Sequence, residues 1–167
     1  TLERHSGGPQ QKVTDGVGFL WRSELAGHPR DPKAWRALHD FAGSALPRPG
    51  SGLADLHVIL AQAVANDADS AGGRASQIEA LSREGRYPSG NYLSMLAPGF
   101  AAFERGDFAT AIAVLAPLAG KNELIGGSRA QHDLIEFTLL RSYIAANRPD
   151  EARELLRVRR PGATGIS

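Results

Sequence analysis

"GFAAFERGDFATAIAVLAPL", residues 99–118, reads as the crossing of two helices. Small and apolar residues recur at helical spacing on both sides of Gly106 and Asp107, which alone interrupt them, so the spacing predicts helices over about Asn91–Arg105 and Phe108–Ala119. Gly99 and Ala111 are small where the two helices must approach closely, and Phe108 and Leu115 are placed to fill the neighbouring layer. Such a hairpin cannot bury its apolar faces alone and has to stack on others like it.

The rest of the chain offers those others. Val17, Leu20, Trp21 and Leu25 repeat at helical spacing from about Thr14, and Gly27 and Pro29 end the run. Asp31 caps a second helix with Pro32 at its first position, extending to about Gly43. "LPRPGSG" breaks the chain, "LADLHVILAQAVAN" predicts a third helix, and a weaker fourth spans about Gly73–Glu84. The last pair runs over about Ser128–Ala146 and Asp150–Arg159, joined at "NRP". With no sustained period-two alternation, the expected fold is all-α: about eight helices in a tetratricopeptide-like stack of antiparallel hairpins, a short α-solenoid. Residues 1–13 are expected to form a flexible arm, 14–160 the helical domain and 161–167 a flexible tail. Tyr143, Asn147, Ala152 and Leu156 form a second, degenerate copy of the hairpin, displaced beyond the usual period of about 34 by an insertion at "KNELIGG". Trp21, Ala37, Phe41 and Pro49 form a third, poorer one.

Composition narrows the function classes. The 167 residues hold 19 basic and 18 acidic side chains with their signs interleaved, which gives no basic stripe for nucleic acid. Arg153, Arg157, Arg159 and Arg160 sit among Glu151 and Glu154 and read as a solvated last helix. The absence of cysteine removes disulfides, zinc-thiolate sites and thiol nucleophiles and fits a cytoplasmic location. No apolar run is long enough to enter a membrane. Neither a cofactor nor a metal is expected, and the expected partner is a protein or peptide.

Candidate chemistry gathers at two helix starts. In "IGGSRAQHD", residues 125–133, Ser128 and Gln131 form a capping-box pattern; the same helix start, with Arg129, has the elements of an anion site. His132 and Glu136 lie four apart and read as a surface pair or as two ligands, with Asp133 adjacent. Asp55 and His57, in "ADLHVILA", point in different directions on a helix. Asp55 suits the first-turn dipole, while His57 is either a hydrogen-bonded interior residue or an imidazole facing a cavity.

"DGVGFLWRSELAG" followed by "DLHVILA", then "FERGDFATAIAVLAPL" leading into "IGGSRAQHDLIEFTLL" and "ARELLRVR", is similar to the C-terminal half of the tetratricopeptide repeat protein 38 family over about residues 15–160. Where that family reads Ile-Gly-Gly-Ser-x-Ala-Gln-Arg-Asp, this chain has His132 in place of the arginine. The resemblance implies an α-helical repeat fold with a binding or scaffolding role, belonging to a longer protein. A repeat face left uncovered at the N-terminal helix pair, around Phe19, Trp21 and Trp35, is then expected to meet a second polypeptide from the same precursor or a homodimer mate. The rival expectation is an enzyme or small-molecule binder whose pocket is shared with an N-terminal half.

Overall fold

Gly106 turns the chain at φ 73°, and Asp107 caps the next helix by accepting from the Thr110 amide at 3.1 Å. In the computed structural model this turn joins α5 (Tyr92–Glu104) to α6 (Phe108–Leu115). A Cβ at Gly99 would stand 2.6 Å from a Leu115 methyl, so the close crossing expected from residues 99–118 depends on that glycine. The structure describes residues 8–121, 124–125 and 129–159, excepting the side chains of 68, 70–72, 129–132 and 159. Expectations for residues 1–7 and for the tail lie outside it.

The described residues form α-helices and no strand: α1 (Pro9–Leu25), α2 (Pro32–Ala45), α3 (Gly52–Val64), α4 (Ala68–Arg83), α5, α6, α7 (Arg129–Ala145) and α8 (Pro149–Arg159). Asp31 caps α2 as expected, accepting from the Lys33 and Ala34 amides. Two starts lie earlier than the periodicity predicts. Pro9 takes the first position of α1, and Val13 and Val17, one turn apart, are fully buried, so the last residues of the expected arm belong to the domain. α4 begins at Ala68 despite Gly72 and Gly73, because Arg74 is anchored in the interior and tertiary contact outweighs weak propensity.

Each even-numbered helix from α2 to α6 packs against the two odd-numbered helices that flank it in sequence. The odd helices pack on one another in order, and α1 also packs on α7, so the series closes on itself. α3 lies at the centre of the first part, apolar almost all round, and touches α1, α2, α4 and α5.

Trp21 shows what this closure does. Its indole N–H donates to Thr138 Oγ1 on α7 at 2.8 Å, and its ring meets Trp35, Phe100 and Phe103 edge-on at 6.3, 6.4 and 5.4 Å. Trp21 and Trp35 are 1% and 4% exposed, which corrects their expected place on a partner surface; only Phe19, at 66%, remains outside. The face of α1 around Trp21, expected to be left uncovered, packs against α7 of the same chain. Trp21, Leu56, Phe100 and Leu134, on α1, α3, α5 and α7, all belong to one core.

Candidate functional site

Asp55 and His57 both sit on α3, and their side chains diverge. Asp55 is 1% exposed and serves as an acceptor throughout: Oδ1 takes an N–H of Arg74, while Oδ2 takes the Tyr87 hydroxyl at 2.6 Å and the Gly50 and Ser51 amides at 2.9 and 3.1 Å. Arg74 also donates to the Leu46 carbonyl. Burial, then the hydrogen bond to Asp55, pushes the Tyr87 phenol well above its ordinary range, so it stays a donor. This network ties the loop before α3 to α4 and to the Tyr87 turn. Asp55 is therefore committed to structure rather than to the helix dipole alone. Tyr92 is likewise internal, donating to the Leu118 carbonyl at 2.8 Å.

His57 is fully buried on the side of α3 that faces α1. Its Nδ1 lies 2.8 Å from the Leu53 carbonyl, which can only accept, so Nδ1 carries the proton and Nε2 is a bare acceptor without a partner among the described residues. A Cβ at Gly18 would stand 3.4 Å from that Nε2 and 3.2 Å from Arg22 Nη1, so the glycine leaves room for Arg22 to fold back toward the imidazole. Burial first, with help from Arg22 and against the Leu53 bond and Asp15, pushes the His57 pKa down to about 4.

A group whose folded pKa is depressed in its cationic form loses stability as acid charges the unfolded chain. His57 accordingly contributes fully above pH 6.5, and that contribution disappears as pH falls from about 6.5 toward 4, a loss of about 3 kcal/mol. Urea titrations at pH 7 and pH 4.5 should show His57→Gln losing about 2 kcal/mol less between the two than the parent protein. Equal losses would mean the imidazole is not held neutral.

The second helix start is described only in part. Ser128 lies outside the described residues, as do the side chains of Arg129 and His132. Asp133 is half-buried on α7, and Glu136 lines a cleft between α6, α7 and α8 with Leu139, Tyr143 and Leu155. No cluster of three or more metal-ligating side chains occurs among the described residues. No described helix is long and apolar enough to cross a membrane.

A cleft that sequence reasoning missed opens where α1 and α7 close the series. Leu25, Ala26, Phe137 and Leu140 form its apolar walls, Arg22 and Arg141 supply cations, and its volume is about 230 Å³. Arg141 is exposed and pairs with no carboxylate among the described residues. Phe19 stands exposed three residues before Arg22, one turn along the same helix. The signal in the sequence was an arginine beside apolar residues on each of two helices, but nothing local pairs helices more than a hundred residues apart.

No protein-family model, curated protein or solved structure matches the chain.

Proposed function

We propose that the chain is a helical-repeat interaction module of tetratricopeptide type, in keeping with its resemblance to the C-terminal half of the tetratricopeptide repeat protein 38 family, and that it seats a segment of a partner protein in the α1–α7 cleft. The order in which the helices pack supports the repeat reading. The observation that carries the function is the cleft: apolar walls beside two cations, of which Arg141 has no carboxylate partner among the described residues, on a surface the chain's own core leaves open. Leu140, half-buried there, can be changed with little effect on the core.

Display of random peptides against the immobilised protein tests this reading. Selected peptides should bind the parent chain and fail on Leu140→Glu, whose melting temperature should stay within a few degrees. The reading fails if selection enriches nothing, or if the selected peptides bind both proteins alike.

A second reading, an enzyme or small-molecule binder, has one observation in its favour: the buried, bare Nε2 of His57 beside the Arg22 guanidinium.

A further inference from the structure

Two properties of the α1–α7 cleft have to be met by the same occupant. Its walls are apolar, yet Arg22 and Arg141 line the same small space. At about 230 Å³ the cleft lies below the ~300 Å³ at which pockets for drug-sized ligands begin, so it takes about one large residue rather than a helix or an extended run. The residue that fills it must therefore carry an apolar side chain and a negative charge within its own reach.

Among the residues of a peptide, Asp and Glu bring the charge without the apolar body, and an internal Leu or Phe brings the body without the charge. A chain-terminal Leu, Ile or Phe brings both, because its α-carboxylate is one bond from the carbon that bears the side chain. We infer that the α1–α7 cleft captures the C-terminal residue of a partner polypeptide, its apolar side chain against Leu25, Phe137 and Leu140 and its carboxylate on the guanidinium of Arg141, with Arg22 as the second cation of the cleft.

The two arginines are not equivalent. Arg22 lies back over Gly18 toward His57 and is half-buried, whereas Arg141 is exposed and has no carboxylate partner among the described residues. Arg141 is therefore the cation free to form a forked, charge-assisted pair with an incoming carboxylate. A carboxamide in the same place keeps the apolar contact and loses the ion pair.

This inference rests on the interaction reading above, and its test separates the two. Pentapeptides anchored through their N-termini, random at the first four positions and ending in Leu or Phe, are presented to the full chain as free acids and as carboxamides. The acids should bind at least about tenfold more tightly than the amides. Arg141→Gln should abolish that preference, and Arg141→Lys should restore part of it. Acids and amides that bind equally, both lost in Leu140→Glu, would overturn carboxylate capture and leave the interaction module standing. Binding of neither form would remove both. Binding of 3-phenylpropionate without binding of the peptide acids would also overturn the inference, making the cleft a small-molecule site.

Discussion

Asp55→Asn should cost the fold about 3–5 kcal/mol, the range for breaking one side of a buried ion pair. The carboxylate is the acceptor for four donors: Arg74, the Tyr87 hydroxyl and the amides of Gly50 and Ser51. Asparagine is almost isosteric but puts an NH2 donor either where Arg74 or where Tyr87, Gly50 and Ser51 need an acceptor, and it leaves the Arg74 charge, 6% exposed, without its counter-ion. Since domains have roughly 5–15 kcal/mol in hand, urea denaturation at pH 7 should show a large fall in the midpoint or outright unfolding. Replacing both partners with apolar residues of similar size, Asp55→Leu with Arg74→Met, should recover much of the loss, because no charge is then stranded. A single variant within about 1 kcal/mol of the parent would mean that the network is solvated and Asp55 is available for other work.

Trp21→Ala should also lose about 3–5 kcal/mol, here through a cavity rather than a charge. The side chain is 1% exposed and joins α1 to α2 and α5 through ring contacts and to α7 through a hydrogen bond. Removing it takes away a hydrogen bond and ring contacts where α1 packs on α7. Trp21→Phe keeps most of the apolar contact and gives up the indole N–H, while Thr138 Oγ1 still donates to the Leu134 carbonyl at 2.6 Å; a smaller loss of about 1–2 kcal/mol is expected. If Trp21 instead lay on a partner-facing surface, the alanine variant of the isolated chain would stay within about 0.5 kcal/mol of the parent. Thermal and urea unfolding followed by circular dichroism distinguishes these outcomes, and it reports on the closure of the helices as well as on one side chain.

The candidate site was legible to different depths at different residues. His57 was read either as an interior residue or as an imidazole facing a cavity; its Leu53 hydrogen bond fits the first, and the bare Nε2 keeps the second in play. Asp55 was read as a helix-start acid, which it is, but its four donors come from three separate stretches of chain. Arg74 gave no sign of its role, since one arginine in a weakly amphipathic helix looks like any solvated cation. Arg22 and Arg141 are inconspicuous in the sequence for the same reason.

What the sequence determined by itself is local. The break at Gly106 and Asp107, the cap at Asp31 and the small residue at the α5–α6 crossing follow from interactions within a few residues, where backbone stereochemistry and near neighbours leave few alternatives. What only the tertiary structure decided is which surface covers which. Periodicity marks a helix face as apolar without naming its cover, and the contact that settles it here, Trp21 to Thr138, spans 117 residues. That pairing helps bury the two tryptophans and brings Arg22 and Arg141 to one cleft. The physical reason is that burial is non-directional: an apolar face is stabilised equally by a partner protein or by the far end of its own chain, and only the folded geometry shows which one arrives.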